Sequence, residues 1–332
     1  MKYFKWVGLA TVFFLMGCAN QGGSNPTWVY PPLAIPLQSS IQQELQIARL
    51  NQLLQRKEVA QNVRAQMFAE RGRYLDSVGL ADLARLDYER SLKLNPAQSE
   101  VFNVLGVYFT QMSDYDSAFD AFDSSLELDP DNDYAQRNRA IALYYAERYG
   151  LALQDMTKNY DQDPSDPYRA LWLYYIQREQ SGVEQAKLDL EQRYQGRDDQ
   201  WGWLLVGVTL DKMNENEALQ SVAANTKSNV ELAQKLTELY FYLAKKYQYE
   251  GQYSNAIALY KLSISLNVYE FSEHRYAFLE LGRIFKAIQT EREKEAVQNQ
   301  ADSPVTKGQE PNNPPEVKAR PTPSYQVPTL SS

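Results

Sequence analysis

The sequence predicts an all-α solenoid built from helical hairpins, and repeated positions in its first half support this class. Prolines recur every 34 residues from position 96 to position 164, and small and bulky residues recur with the same period. The prolines are Pro96, Pro130 and Pro164; the small residues are Ala84, Ala118 and Ala152 at one position and Gly72, Gly106 and Ala140 at another; the bulky residues are Tyr88, Phe122 and Met156. Small residues at fixed helical positions let two helices approach closely, so each period is expected to be one hairpin.

A 34-residue period of helical hairpins is typical of tetratricopeptide repeats. A single hairpin cannot bury its own apolar face, so neighbouring hairpins stack, and each proline ends a second helix. In this arrangement the bulky residue is expected to fill the space between hairpins. Clear repeats are predicted at 65–98, 99–132 and 133–166.

Residues 1–17 have the composition of a signal peptide. Lys2 and Lys5 precede a short apolar run that ends at Leu15 and is too short to span a bilayer. The next residues, Leu15-Met16-Gly17-Cys18, resemble the lipobox of bacterial lipoproteins. In that pattern the cysteine becomes the lipidated first residue of the mature chain.

Cys18 is the only cysteine of the chain, so it cannot form an internal disulfide. The alternative is a thiol that merely follows an apolar run. Lipidation would give stable membrane attachment. Ala19 stands where an aspartate would retain a lipoprotein on the inner membrane. We therefore expect a lipid anchor at Cys18 in the outer membrane, on its periplasmic face.

The tether predicted for residues 18–37 is rich in glycine and proline. Residues 38–60 are predicted to form an N-terminal helix, because apolar residues return at helical spacing. One face of this helix carries Ile41, Leu45 and Ala48. Two roles remain open for it: it can cap the repeat array, or it can contact a second subunit in a homodimer.

The pattern weakens after Pro164 and then returns. Residues 167–236 are expected to form degenerate hairpins, and residues 237–270 restore a clear repeat, so the repeat domain is placed at 61–288. A C-terminal capping helix is expected at 270–288. Residues 289–332 contain many prolines and few apolar residues, which predicts a disordered tail.

The residues that most enzymes and metal sites require are scarce. The chain has one histidine, His274, whereas a catalytic triad or a zinc site normally uses more. Residues 129–140 lack the glycine and glutamate of a calcium loop, and no glycine-rich phosphate loop is present. The formal charge of −8 is unfavourable for binding nucleic acid. The sequence thus indicates a protein that is not an enzyme and has no cofactor or metal.

Binding is expected on the concave face, which the first helices of the hairpins line in this class of fold. By analogy with the repeat family, the second, fifth, ninth and twelfth positions of each repeat point inward. The groove candidates are Arg73, Asp76, Asn103, Thr110, Tyr134, Arg137, Tyr144, Tyr168, Leu171 and Arg178. Arginine and tyrosine are enriched at interface hot spots. The alternative is that these are ordinary solvated residues of a structural solenoid.

Some tetratricopeptide repeats bind the terminal carboxylate of chaperone tails through lysine and asparagine at set positions. Three of those positions hold Ala69, Val104 and Tyr134 in this chain, and only Arg73 and Asn138 are polar. Recognition of a terminal aspartate by this route is therefore not expected.

Seven stretches carry a resemblance to a known family; the first few are partly generic to the repeat, whereas the last three are not and weigh most. They are Val101–Gly106, Ala121–Ser124, Leu126–Pro130, Asn138–Tyr145, Leu171–Tyr174, Gln200–Trp203 and Glu273–Ala277. On these stretches the chain resembles the NlpI (new lipoprotein I) family of outer-membrane lipoproteins over roughly residues 36–285. The proline-rich tail departs from that family.

The resemblance implies a homodimeric adaptor. Family members bind a tail-specific PDZ protease and present murein endopeptidases to it, which restrains peptidoglycan hydrolysis, and they scaffold several murein hydrolases. Such an adaptor would act by raising the effective concentration of substrate at the protease. Two other functions remain open: an assembly scaffold for outer-membrane proteins or pili, and an enzyme whose activity survives without partners.

Overall fold

The computed structural model describes residues 34–301, and every regular element within that range is an α-helix. The helices are α1 (Ile41–Leu54), α2 (Gln61–Ser77), α3 (Ala81–Leu94), α4 (Ser99–Gln111), α5 (Tyr115–Leu128), α6 (Asp133–Tyr145), α7 (Tyr149–Gln162), α8 (Pro167–Ser181), α9 (Val183–Gln195), α10 (Gly202–Thr209), α11 (Glu215–Ala224), α12 (Asn229–Tyr249), α13 (Tyr253–Ser265) and α14 (Ser272–Ala301). The predicted all-α class is confirmed. The predicted signal peptide, Cys18 and residues 302–332 lie outside the described residues.

Helices α2 to α13 pair in chain order as six hairpins, from α2–α3 to α12–α13. The second and third hairpins begin at Ser99 and Asp133, where the repeat period places them. The hairpin of the last clear repeat begins at Asn229, eight residues before the predicted position, because α12 is 21 residues long.

In the first two hairpins, close pairing of the helices depends on a glycine of the first helix. A Cβ atom at Gly106 would lie 2.5 Å from the ring of Phe122, and one at Gly72 would lie 2.9 Å from the ring of Tyr88. The bulky residue therefore packs against the glycine of its own hairpin. The expected packing between hairpins is also present for Tyr88, whose ring centroid lies 6.3 Å from that of Tyr108 in the next hairpin.

Each hairpin turn passes through one residue in the left-handed region of backbone conformation. These residues are Gly79, Ser113, Glu147, Gly182, Asp211 and Gly251, with φ between 60° and 92°. The turn at Gly79 also tolerates no side chain, because a Cβ there would lie 2.7 Å from the ring of Tyr269. This contact brings the first hairpin against the loop that precedes α14.

Helix α1 lies against the first hairpin through one of its faces. Leu50 is buried, and Ile47 packs against the cluster that contains Leu75 and Tyr88. The opposite face is exposed: Ile41 is 78 % exposed and Leu45 is 59 % exposed. Helix α1 thus covers the end of the array, as a cap would, and still presents an uncovered apolar stripe.

Helix α14 differs from the predicted C-terminal cap in length and in position. It continues to Ala301, beyond the predicted end at residue 288. Its first turns also contact helices far from the last hairpin, because Arg275 forms an ion pair with Asp76 of α2. The chain divides into two compact units at this helix, residues 34–285 and residues from 286 onward. Within the second unit, the Thr290 hydroxyl donates to the carbonyl of Lys286 at 3.0 Å.

Candidate binding cleft on the concave face

An open cleft of about 620 Å³ lies along the first helices of the first two hairpins and reaches the first helix of the third at Asn138. Its walls include Arg73 and Asp76 from α2, Asn103 from α4, Asn138 from α6, and Arg275 from α14. Three predicted groove residues, Arg73, Asp76 and Asn103, are therefore brought together in one cleft. The helical repeat explains this, since residues three, four and seven positions apart share one face of a helix.

The floor of the cleft is apolar, and its side chains are small apart from Tyr88. Ala69 of α2 and Val101, Val104 and Val107 of α4 line it. Two of these, Ala69 and Val104, occupy positions where a carboxylate clamp would need polar residues. At these two positions the cleft therefore offers no polar side chain to a terminal carboxylate.

A pair of side-chain amides lies across the cleft from α4 to α6. Asn138 Nδ2 donates to Asn103 Oδ1 at 3.0 Å. Asn103 is only 7 % exposed, and in residues 34–301 its Nδ2 has no acceptor. Asn138 Oδ1 likewise has no donor among these residues. The pair therefore offers a free donor nitrogen, Asn103 Nδ2, and a free acceptor oxygen, Asn138 Oδ1, at the cleft.

One end of the cleft is closed by a buried polar cluster. Arg275 Nη2 lies 2.5 Å from Asp76 Oδ2, and the Tyr108 hydroxyl donates to Asp76 Oδ1. The Arg275 guanidinium also lies 5.1 Å from the centre of the Tyr108 ring. Burial, and then the charge of Asp76, hold the pKa of Tyr108 far above its usual range, so the phenol stays a donor. Asp76 is thus held by the chain itself.

The rim of the cleft is mainly acidic. Glu70, Glu100 and Glu270 line it and are exposed, and none of the three forms an ion pair within the described part of the chain. The exposed cation of the lining is Arg73, because the charge of Arg275 is balanced by Asp76. Arg73 is among the groove candidates predicted from the sequence, and none of the three glutamates is.

The rest of the concave face is covered by the chain's own C-terminal helices. Tyr144 and Leu171, both predicted to line the groove, are fully buried. The Tyr144 hydroxyl lies 2.8 Å from that of Tyr249 and accepts from Lys245 Nζ at 3.2 Å. Helix α12 therefore occupies the place where a partner at Tyr144 was expected, and Tyr144 is a core residue.

Two further groove candidates have intramolecular partners. Thr110 is fully buried, and its hydroxyl donates to the carbonyl of Gly106 at 2.8 Å. The Tyr168 hydroxyl donates to Glu238 Oε1 of α12 at 2.9 Å. These side chains stabilise the array and are not available to a partner in this conformation.

The last three groove candidates lie outside the cleft, at or near the surface. Tyr134 is 60 % exposed, and the Arg137 guanidinium lies 5.2 Å from the centre of its ring. Arg178 lies 4.1 Å from the centre of the Tyr249 ring. Their stacking on tyrosines keeps both arginines in place.

A buried ion pair joins the helices that cover the concave face. Lys245 Nζ of α12 lies 2.6 Å from Glu280 Oε1 of α14, and both side chains are at most 1 % exposed. Lys245 Nζ also lies 4.6 Å from the centre of the Tyr175 ring. The nearby cations Lys245 and Arg283 outweigh the cost of burial and lower the pKa of Glu280 to about 2. This pair is not among the residues predicted from the sequence, where its only signal is a charged residue between Tyr276 and Ile284 on an otherwise apolar helix face.

His274 has the surroundings of a structural residue. It is 7 % exposed, and its ring lies at steep angles to those of Tyr269 and Phe278. Burial, and then the charge of Arg275, lower its pKa to about 4, so the imidazole is neutral at pH 7. Between residues 34 and 301, no group of three acidic, histidine or cysteine side chains is arranged to hold a metal ion. No helix in that range is long and apolar enough to cross a membrane.

No protein-family model matches the chain. Among solved structures, it is similar to a tetratricopeptide repeat protein from Parabacteroides merdae ATCC 43184, with 14 % identity, 73 % of this chain and 99 % of that chain covered, and a TM-score of 0.47. It is similar to YrrB, described as a tetratricopeptide repeat protein with an unusual peptide-binding site, with 12 % identity, 70 % and 97 % coverage, and a TM-score of 0.38. A third is MamA from MSR-1, with 18 % identity, 47 % and 97 % coverage, and a TM-score of 0.38. By its own stacked helical hairpins and their 34-residue period, the chain is a helical solenoid of tetratricopeptide type.

Proposed function

We propose that the protein is a non-enzymatic scaffold that holds an extended segment of a partner protein in the cleft formed by α2, α4 and α6. The observation that carries this proposal is the pair of Asn103 and Asn138 above an apolar floor. A peptide group presents one N–H and one C=O, which match the free acceptor and donor of that pair. Solenoids of helical hairpins offer extended concave surfaces suited to such segments.

The partner proteins proposed are those of the family that the sequence resembles. The scaffold would bind a tail-specific PDZ protease and present murein endopeptidases to it, and so regulate peptidoglycan hydrolysis. One surface would hold the protease and another the substrate, so that cleavage becomes nearly intramolecular. The cleft supplies one such surface, and the exposed outer faces of the helices supply room for a second.

A pull-down from envelope extract with the full-length chain in detergent tests this function. We expect recovery of a tail-specific protease together with a murein hydrolase. Val104→Arg places a long charged side chain on the cleft floor and is expected to lose one of the two partners. The matched control is Val230→Arg, because Val230 is 52 % exposed on α12 and lies outside the cleft. Recovery of an outer-membrane barrel or pilus component without a protease would instead favour the assembly scaffold.

Attachment to the outer membrane through Cys18 is part of the same proposal. It rests on the lipobox-like stretch that ends at Cys18 and on Ala19 after it. Cys18→Ser is expected to move the protein from the membrane fraction to the soluble periplasmic fraction and to abolish the mass added by acyl chains. Retention of Cys18→Ser in the outer-membrane fraction of cells would contradict the anchor.

Homodimerisation through α1 is the remaining part of the proposal. The uncovered stripe of Ile41, Leu45 and Ala48 supports it, since large apolar side chains that are exposed side by side favour association. Leu45→Glu is expected to yield a monomer in light scattering coupled to size exclusion. Leu128→Glu is the matched control, because Leu128 is 45 % exposed at the end of α5.

A further inference from the structure

We propose that the cleft selects a cationic segment, an extended peptide with small apolar side chains and at least one lysine or arginine. This inference rests on the proposed function, since it names the chemistry of the segment that the cleft would hold. Its evidence is the charge of the side chains at the rim, whereas the proposed function rests on the hydrogen-bonding groups of Asn103 and Asn138.

The length of the cleft fits a short extended segment. Three first helices line it, α2, α4 and α6. Packed helices lie about 10 Å apart, so the three span roughly 20–30 Å. An extended chain rises about 3.3 Å per residue, and about seven residues cover that distance. The segment must be extended, because a helix would turn most of its backbone groups away from Asn103 and Asn138.

The floor sets the size of the side chains that point down. Ala69, Val101, Val104 and Val107 form an apolar surface there. Alternate residues of an extended chain point to the same side, so every second residue of the segment would face this floor. Small apolar residues fit there, whereas a charged side chain on the floor would be desolvated without a partner.

The charge of the rim determines which charge is favoured on the segment residues whose side chains would point toward it. Glu70, Glu100 and Glu270 are exposed and lack ion-pair partners among residues 34–301, and Arg73 alone opposes them. Asp76 and Arg275 cancel each other at the closed end. Lysine or arginine on the segment would find carboxylates at the rim, whereas aspartate or glutamate would be repelled.

The same rim disfavours anionic partners. Nucleic acid and anionic lipid head groups would meet three carboxylates in the cleft and a chain of net charge −8. The buried amide of Asn103 is a second and independent sign of a peptide, because its Nδ2 faces the cleft without an acceptor in the described part of the chain.

Binding of three blocked peptides of equal length to the full-length chain in detergent tests the inference by fluorescence anisotropy. The peptides alternate small apolar residues with lysine, with glutamine or with glutamate. We expect the affinities to fall in that order, with the lysine peptide weakening most as salt is raised. Equal affinity for the lysine and glutamine peptides would overturn the charge selection and leave the scaffold function standing. Binding of none of the three would remove the cleft as a peptide site and both proposals with it.

A pair of double variants separates the rim from the overall charge. Glu70→Gln with Glu100→Gln should lower the affinity for the lysine peptide roughly fivefold, since two exposed ion pairs are lost. The affinity for the glutamine peptide should stay unchanged. Glu127→Gln with Glu184→Gln is the matched control: it removes the same net charge from exposed positions outside the cleft, on α5 and α9. Arg73→Gln should raise the affinity for the lysine peptide, because it removes a positive charge from the cleft. An equal loss of affinity in both double variants would contradict a role for the cleft rim.

Discussion

At the scale of single residues, the packing of the two helices of a hairpin depends on a few positions that tolerate few other side chains. Arg71 and Asp87 form a two-bond ion pair within the first hairpin, with contacts of 2.5 and 2.7 Å. Arg139 and Asp155 form the same pair in the third hairpin, at 2.7 and 2.9 Å. Paired geometry of this kind fixes the relative position of two helices more strictly than apolar contacts do.

Gly106→Ala is expected to destabilise the fold. The new Cβ would lie 2.5 Å from the ring of Phe122, which is fully buried and cannot move aside. Overpacking of this kind lowers the free energy of unfolding by about 1–3 kcal/mol. Denaturant unfolding followed by circular dichroism measures it.

Gly282→Ala is the matched control for that substitution. Gly282 lies in α14, and a Cβ there would meet no atom within 4 Å. Alanine in an open helix position raises the free energy of unfolding by about 0.5–1 kcal/mol. Changes of the same sign at both glycines would contradict the packing argument.

Glu238 is expected to make the stability of the protein depend on pH. Its side chain accepts hydrogen bonds from the Tyr168 hydroxyl and from Trp201 Nε1. Burial, and then the negative charge of Glu273, raise the pKa of Glu238 from 4.5 to about 8, and the positive charge of Lys235 opposes this shift. Between these values the unfolded chain loses a proton that the folded chain keeps, so stability falls as pH rises from 4.5 to 8.

Glu238→Gln should remove most of that dependence. Glutamine resembles the protonated acid: its oxygen can accept from Trp201 and its amide can donate to the Tyr168 hydroxyl. We expect a higher Tm at pH 8, equivalent to roughly 1–3 kcal/mol, and little change at pH 4.5. Thermal unfolding across this pH range measures it, with the exposed Glu127→Gln as control. A variant whose Tm still falls as steeply as that of the native chain would rule out Glu238 as the titrating group.

At the scale of elements, α12 and α14 decide how much of the concave face is open. They meet at the buried pair of Lys245 and Glu280, which also contacts α6 through Tyr144 and Tyr145. The first turn of α14 meets α2 at Asp76. The two helices therefore close the middle of the concave face and leave the cleft of the first hairpins accessible.

Substitutions at Lys245 and Glu280 should show how strongly these elements are coupled. Removing one partner of a buried ion pair costs about 3–5 kcal/mol, because the other charge stays buried. Glu280→Gln should cost more than Lys245→Met, since Arg283 lies 3.7 Å from Glu280 and still balances it when the lysine is absent. The double variant should lose less free energy of unfolding than the sum of the losses in the two single variants. Urea unfolding of all four chains measures this cycle, and additive losses would show that the helices are not coupled through this pair.

At the scale of the described unit, the N-terminal segment is held by the C-terminal hairpin. Asn229 Oδ1 accepts from the Ile35 amide at 2.7 Å, and Asn229 Nδ2 donates to the Ile35 carbonyl at 2.8 Å. The Leu37 amide donates to the carbonyl of Leu266 at 3.0 Å. Residues more than 190 positions apart thus join the two ends of the array.

Asn229→Ala is expected to release the segment before α1 without unfolding the array. Both hydrogen bonds to Ile35 would be lost, and this region is exposed, so local opening costs little. Hydrogen exchange should speed up at residues 35–40 and stay unchanged in α4 and α6. Asn255→Ala, at a similarly exposed asparagine of α13, is the control. Unchanged exchange at residues 35–40 would show that other contacts hold the segment.

The repeats could be read from the sequence because their determinants are local. Gly106 and Phe122 are 16 residues apart, and their spacing recurs with the 34-residue period, so small and bulky positions identify each hairpin. The inward positions of α2 and α4 followed from the same period, which is why Arg73, Asp76 and Asn103 were found together. The boundaries of the degenerate hairpins were less well defined, since α10 is only eight residues long.

Only the tertiary structure decided which part of the concave face is open. The contacts that close it join Lys245 to Tyr144 and Arg275 to Asp76, across 101 and 199 positions of the chain. No periodic pattern encodes contacts at such separations, because they depend on how the stacked hairpins bring distant helices together. The sequence by itself determined the hairpin and its inward face, through spacings within one repeat. The burial of Tyr144 and Leu171 and the open cleft at Asn103 were decided by the packing of α12 and α14.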